Sequence, residues 1–387
     1  MAVDGHPLPR EVTTPCLVVD VAVLESNLAR MAAHAQQRGV ALRPHAKTHK
    51  TWQIARRQLE LGAVGLTVAT VGEAEVFADA GCADLFIAYP VWASGARGAR
   101  LRAVAQRCAL RVGVDSAEAT APLARALAGT DAEVVVEVDS GHHRTGVAPH
   151  LAGQVAAAAA RAGLRVAGTF TFPGHSYPPG HSYPPDHRER VAADEARALR
   201  DAGRALREAG LGTAAVRSGG STPTAALAGA VDENETVDDA GTIGDVGSGA
   251  LTELRPGVYV FNDAQQMELG VAGWESVALH AAATVVSRSG HRAVLDSGSK
   301  VLGADRQPWS TGYGRLPEYP GARVVALSEH HATVVFPETA TVPDLGSLVR
   351  VAPNHVCTAV NLCDELLVVA DGAVVDRWPV IARGRNG

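Results

Sequence analysis

Three stretches of the sequence hold side chains whose types and spacing can do chemistry. The first is Arg43-Pro-His-Ala-Lys-Thr-His-Lys50, which carries two lysine amines, Lys47 and Lys50. A lysine amine can condense with the aldehyde of a phosphorylated cofactor, and either lysine could do so, although composition alone would make both ordinary surface charges. The second is Ser218-Gly-Gly-Ser-Thr-Pro-Thr224. Its closely spaced backbone N–H groups, small side chains and hydroxyls are what a phosphate dianion needs at close approach, so Ser218, Gly219, Gly220, Ser221 and Thr222 are candidate phosphate contacts. Standing alone, such a Gly-Ser string is commonly just a turn. The third is His355 and Cys357, two residues apart, which would point the same way from one extended segment and could share a metal ion. The plain alternative is a buried cysteine beside an unrelated histidine. Among the other histidines, His45, His49, His142, His143, His175, His330 and His331 could handle protons, and His175 is the preferred candidate near a metal.

These residues need a scaffold that brings distant segments together. From about residue 40 to 260, short β-like runs alternate with amphipathic helical stretches, the pattern of βα units and a parallel sheet. Eight strands are expected: ALRP from Ala41, VGLTVA from Val64, DLFIAY from Asp84, ALRVGV from Ala109, EVVVEV from Glu133, LRVAGTF from Leu164, AAVRS from Ala214 and LTELR from Leu251. Helices are expected over Trp52 to Leu61, Gly72 to Ala80, Ala117 to Ala128 and Asp186 to Ala209. Eight strands at this rhythm fit a (β/α)8 barrel, where active sites lie just after the strands. The chemistry-bearing segments fall there: Lys47 after strand one, Asp139 to Arg144 after five, His175 and Tyr177 after six, Ser218 to Thr224 after seven, and Pro256 to Tyr259 after eight. The loops after strands seven and eight are also where such barrels bind phosphate.

Beyond about Gly270 the pattern changes to β-like runs separated by Gly, Asp and Pro turns, which reads as an antiparallel β domain. The early run CLVVD at Cys16 is expected to join it, followed by a helix from Val21 to Gln37 with Asp20 as its N-cap. The expected domains are therefore a barrel over 20–265 and a β domain formed by 1–19 and 266–387. The hexapeptide Pro173-Gly-His-Ser-Tyr-Pro178 is repeated at once as Pro179 to Pro184, so Tyr183 could stand in for Tyr177. One copy reads as a tolerated loop expansion.

Bulk properties exclude some classes. With 387 residues, 47% of them hydrophobic, the chain can bury two cores. Its 35 Lys and Arg against 41 Asp and Glu give a net charge of -6, which offers no basic surface for nucleic acid or anionic lipid. No apolar run approaches the roughly 20 residues of a membrane helix, and MAVDGHPLPREV has no signal-peptide pattern, so a cytoplasmic enzyme for small molecules is expected. Five scattered cysteines do not form a disulfide framework.

Arg43 to Lys50, Ser218 to Thr224, Glu253-Leu-Arg-Pro-Gly-Val-Tyr259 and Pro353-Asn-His-Val-Cys357, in this order, resemble the D-threonine aldolase and D-serine dehydratase family, which belongs to the alanine-racemase-like, fold-type III pyridoxal-phosphate enzymes. The resemblance runs from about Thr14 to Trp378. It implies Lys47 as the Schiff-base lysine and as a base at the substrate Cα. It places Arg144 at the pyridine nitrogen, where a permanently charged guanidinium would leave that nitrogen unprotonated. Tyr177, Thr222, the backbone of Gly257 and Val258, and Tyr259 become cofactor contacts. His355 and Cys357 become metal ligands, with zinc suiting a thiolate-imidazole pair and manganese or magnesium as alternatives. A homodimer is the implied assembly.

The implied reaction is a lyase reaction on a D-β-hydroxy-α-amino acid, with two outcomes held close to parity. Loss of the α-proton and then of the β-hydroxyl gives a keto acid and ammonia; deprotonation of the β-hydroxyl and cleavage of Cα–Cβ gives glycine and an aldehyde. Cys357 leans modestly toward the dehydratase. A racemase would need a second base, for which no tyrosine motif is visible in the β domain. A non-catalytic pyridoxal-phosphate carrier would not need that domain.

Overall fold

The computed structural model describes residues 8–9, 12–177, 186–227 and 251–387. The second copy of the repeated hexapeptide, with Tyr183, lies outside the described residues. The chain divides into two compact units, one of Ala32–Lys47, Ala55–Gly257 and Arg385–Gly387, the other of Met1–Met31, Thr48–Ile54 and Val258–Gly384.

The first unit is the expected barrel. Its strands are β1 (Ala41–Leu42), β2 (Leu66–Val68), β3 (Asp84–Pro90), β4 (Ala109–Val114), β5 (Glu133–Glu137), β6 (Arg165–Phe170), β7 (Val216–Gly219) and β8 (Glu253–Leu254). All neighbours from β2 through to β8 pair in parallel, and β8 pairs with β1. The ring closes between β1 and β2, where Val64 N–H donates to Leu42 C=O, Thr67 N–H donates to Pro44 C=O, both at 2.9 Å, and His45 bridges Thr67. Periodicity could supply the eight strands but not this closure, which depends on backbone bonds just outside the shortest strand. Parallel strands covered on both faces favour unbroken β-branched runs, and Val134, Val135 and Val136 of β5 are completely buried.

The barrel interior is not purely apolar. Arg43, 1% exposed, donates from Nε to Glu253 at 2.7 Å and grips Asp84 with both terminal nitrogens at 2.7 and 3.0 Å. Ser218 Oγ donates to the other oxygen of Glu253 at 2.6 Å. Buried Arg255 stands over the rings of Phe86 and Phe170, 5.4 and 5.2 Å from their centroids, and donates to Thr171 C=O at 2.6 Å. Burial, offset only in part by Glu253, Glu195 and Glu137, pulls its guanidinium down to about 10.

The second unit holds a mixed sheet. Cys16–Asp20 pairs antiparallel with Leu279–Ser289 and parallel with Glu365–Ala370, so the early strand does join the C-terminal sheet. Asp20 caps the helix Val21–Gln37, accepting from Ala22 and Val23 N–H at 3.0 and 3.1 Å. The remaining pairs, including Leu279–Ser289 with Leu348–Pro353 and Glu365–Ala370 with Ala373–Pro379, are antiparallel. Among the described residues no helix is long and apolar enough to cross a membrane.

Candidate active site

The loops after β1, β5 and β6 bring several of the expected residues to one aromatic ring. Phe172, two residues beyond β6, has the Lys47 amine 5.7 Å and the Arg144 guanidinium 5.0 Å from its centroid. His142 meets its edge at 5.5 Å, and Tyr177 lies tilted at 6.3 Å. Two cations over one ring are held by its negative face. Lys50, the other lysine of the motif, is committed elsewhere: buried at a positive φ of 51°, it donates from Nζ to Asn361 at 2.7 Å.

His175 lies in the single turn Gly174–Ser176. Its Nδ1 is buried without a hydrogen-bond partner, and its ring covers Gly141, where an added Cβ would come within 3.1 Å of Nε2. The His142 ring covers Gly174 in return. Burial holds both imidazoles below the usual histidine range, with Arg144 adding to the effect at His142 and His142 at His175. A neutral imidazole with one unused ring nitrogen can accept or relay a proton. Asp139 holds the turn between them, accepting from the Gly141 and His143 N–H groups at 2.9 and 3.0 Å and from His143 Nδ1 at 2.6 Å. Burial pushes its carboxyl up, but these donors outweigh that and leave it below the ordinary range.

The loop after β7 forms a closed cradle. Gly220 adopts φ +86°, a left-handed conformation suited to glycine. Ser221 caps the short helix Thr222–Ala225 through a reciprocal pair with Thr224: Ser221 Oγ accepts Thr224 N–H at 3.2 Å, and Thr224 Oγ1 accepts Ser221 N–H at 3.0 Å. The Ser218 and Ser221 hydroxyls are spent internally, on Glu253 and on Thr224 with Ser176. Thr222 Oγ1 is buried and has no partner. A buried orphan hydroxyl costs stability unless something else uses it, and a phosphate oxygen would. Gly257 closes the barrel unit; Val258 and Tyr259 are buried in the turn Val258–Val260 of the other unit.

In that other unit, His355 is extended (φ -128°, ψ 103°) and immediately precedes the helix Val356–Leu362, whose second residue is Cys357. The single extended segment expected for this pair is thus corrected: the two side chains interact across a helix start rather than along a strand. Asp263 explains the arrangement. It caps the helix Ala264–Glu268 through Gln266 N–H at 2.9 Å, accepts Val356 N–H at 3.1 Å, and places its second oxygen 3.6 Å from His355 Nδ1. Burial lowers the imidazole's affinity for a proton, but Cys357 and Asp263 outweigh it and raise it well above the usual range. The Cys357 thiol donates to Thr48 Oγ1 at 3.3 Å. An imidazole and a thiol with a carboxylate behind the imidazole is a donor set that fits a divalent ion of zinc type. Among the described residues no group of three or more His, Cys, Asp or Glu side chains forms a metal cage, so the remaining positions would be open to other ligands.

Phe172, Asp263 and Glu195 are the residues that sequence reasoning missed. An Asp before Ala-Gln-Gln is an N-cap signal, but its second oxygen's role depends on a segment 92 residues later (355 less 263). A phenylalanine beside a strand reads as core.

Comparison with known proteins agrees with this architecture. Residues 19–265 match the alanine racemase N-terminal domain family, and residues 278–369 a serine dehydratase domain. The D-threonine aldolase of Arthrobacter sp is 35% identical over 394 residues, covering 98% of this chain and 95% of that protein. The D-threo-3-hydroxyaspartate dehydratase of Delftia sp. (strain HT23) is 33% identical over 389 residues, covering 93% and 95%. The crystal structure of D-threonine aldolase from Filomicrobium marinum superposes with a TM-score of 0.82 at 33% identity, covering 98% of each chain. Structures of D-threo-3-hydroxyaspartate dehydratase include one variant with a histidine and one with a cysteine replaced by alanine, the latter in a metal-free form.

The fold and the site segments thus define an alanine-racemase-like pyridoxal-phosphate lyase. Within that class, the chain belongs to the D-threonine aldolase and D-serine dehydratase family, whose members act on D-β-hydroxy-α-amino acids.

Proposed function

We propose that this enzyme eliminates the β-hydroxyl of a D-β-hydroxy-α-amino acid, giving a keto acid and ammonia, with Lys47 and His175 handling protons and His355 and Cys357 holding zinc. The His355 and Cys357 pair carries this reading: a thiolate ligand suits zinc over harder ions such as manganese or magnesium. The metal-free cysteine variant of the related dehydratase supports a cysteine in that role.

When bound, pyridoxal phosphate supplies an electron sink for charge developing at Cα, and the divalent ion a Lewis acid for the β-hydroxyl. The chain's residues do the rest. Lys47 would hold the cofactor through its amine and would take the proton from the substrate Cα. Arg144, always charged, would hold the cofactor's pyridine ring and moderate its action as a sink. Thr222, with the backbones of Gly257 and Val258, grips the phosphate; Gly219, Gly220 and Ser221 shape the loop that presents it, and Ser218 supports that loop through Glu253; Tyr177 and Tyr259 complete the cofactor contacts. His175, whose buried Nδ1 has no partner, takes up a proton there as its other ring nitrogen passes one to the hydroxyl, which departs as water. Residues 20–265 form the cofactor domain, with 1–19 and 266–387 bearing the metal ligands. The working form is a cytoplasmic homodimer.

A second reading, retro-aldol cleavage to glycine and an aldehyde, is favoured by the 35% identity to a D-threonine aldolase. The deciding experiment supplies pyridoxal phosphate with zinc or manganese, then D-serine and D-threonine in parallel, and identifies products by mass spectrometry beside a Lys47→Ala control. Pyruvate from D-serine establishes elimination. Glycine with acetaldehyde from D-threonine establishes the aldolase instead. Consumption of neither overturns both outcomes for these substrates.

A further inference from the structure

The structure assigns Glu195 a positioning role: we propose that its carboxylate holds the Ser218 to Thr224 loop in the shape that grips the cofactor's phosphate. The inference rests on the phosphate site proposed above. Glu195 lies on the long helix His187–Glu208, whose buried face is otherwise Val191, Ala192, Ala196, Ala198, Leu199, Ala202 and Leu206. It is the one ionisable residue on that face and only 2% exposed. A carboxylate so placed is costly unless its oxygens are satisfied, and both are spent on this loop. Oε1 accepts Gly220 N–H at 2.6 Å, and Oε2 accepts the Thr224 hydroxyl at 3.2 Å.

These two bonds bracket Ser221 and Thr222. The carboxylate reaches the loop because residue 219 is glycine: an added Cβ would lie 2.4 Å from Glu195 Oε1. Gly220 directs its N–H at Glu195, and Ser221 and Thr224 bond one another, so these groups face away from any ligand. The Thr222 hydroxyl is what this arrangement leaves unused. Glu195 therefore acts through the loop and needs no contact with cofactor or substrate.

The test titrates the cofactor-free protein with pyridoxal phosphate and, in parallel, with pyridoxal, which has the aldehyde but no phosphate, following absorbance and intrinsic fluorescence. Glu195→Ala is expected to weaken pyridoxal phosphate binding by roughly tenfold or more while changing pyridoxal binding less than about twofold. Glu195→Gln can still accept from Gly220 and should restore binding to within roughly threefold. Thr222→Val separates the two readings. If it leaves the preference for the phosphorylated ligand intact, the loop is not the phosphate site. If it abolishes that preference while Glu195→Ala keeps it, the site stands and the role of Glu195 is overturned. Equal weakening of both ligands by Glu195→Ala, without rescue by glutamine, also overturns it.

Discussion

Arg43→Met removes the cation at the centre of the barrel's interior cluster and asks whether charge or apolar packing fixes the first strand. Arg43 makes three charge-assisted hydrogen bonds, one to Glu253 and two to Asp84. At about 1.5–3 kcal/mol each these would sum to roughly 5–9 kcal/mol, but such a sum ignores what the partners do afterwards. The Asp84 side chain is 30% exposed and can recover water; that of Glu253 is 6% exposed. Glu253 would keep only the Ser218 hydroxyl and a longer contact from Arg111 at 3.3 Å. The loss is therefore that of one stranded buried carboxylate, about 3–5 kcal/mol, and methionine occupies enough of the volume to keep the cavity contribution small. With two units present, a single global unfolding energy is a poor measure. Hydrogen exchange is local, and the bonds from Ala41 to Thr252 and from Arg43 to Leu254 cross the affected strands. Peptides covering 40–45 and 252–256 should exchange on the order of 100- to 1,000-fold faster in the variant. Adding Glu253→Gln should recover part of that protection. Exchange within roughly threefold of the parent would show that the cluster does not hold the strand, and the reasoning would fail.

Four further outcomes follow from the site. Gly219→Ala places a methyl against Glu195 and Leu251 Cδ2, at 2.4 and 3.0 Å, and should cost about 1–3 kcal/mol while weakening pyridoxal phosphate binding; an unchanged cofactor titration would contradict the tight fit. Phe172→Leu removes the ring shared by Lys47 and Arg144, worth about 0.5–1 kcal/mol per cation, so cofactor affinity should fall by roughly 5- to 30-fold. The imidazole signals of His142 and His175 should titrate below 6.5 in NMR, and Arg144→Met should raise the His142 midpoint because a nearby cation is gone. Glu195 is raised by burial from 4.5 to about 7, so its ionisation costs native stability as pH rises through that window, about 3 kcal/mol in all. Glu195→Gln has no such cost, and its stability relative to the parent should climb between those pH values; a pH-independent difference in denaturation midpoints would count against the assignment.

The strands were legible because each obeys a local rule. Val134 to Val136 form an unbroken β-branched run, and a strand buried on both faces needs one. Barrel closure was not legible, since it rests on main-chain bonds from Val64 and Thr67 to Leu42 and Pro44, at the end of a two-residue strand and just beyond it, where no side chain signals the pairing. The site divides in the same way. Lys47, Arg144 and Tyr177 could be located by the strand ends they follow, but the ring that gathers them is an ordinary core-type residue whose meaning comes from its neighbours in space. His355 and Cys357 were visible as a pair, yet the geometry inferred for them was a strand's. A helix starts there because Asp263, far away in sequence, accepts the first helical N–H. Glu195 is the instructive case between these extremes. One acid among Ala192, Ala196 and Leu199 on a helix's apolar stripe violates the pattern that predicts the helix. Such violations concentrate where a polar group is needed inside the protein. The glycines at 219 and 220 are the other half of the same signal, because a loop that must approach a buried carboxylate has no room for a side chain at the point of contact. Taken together, a charge on an apolar helical face and a side-chain-free loop after a nearby strand specify a contact that neither specifies alone.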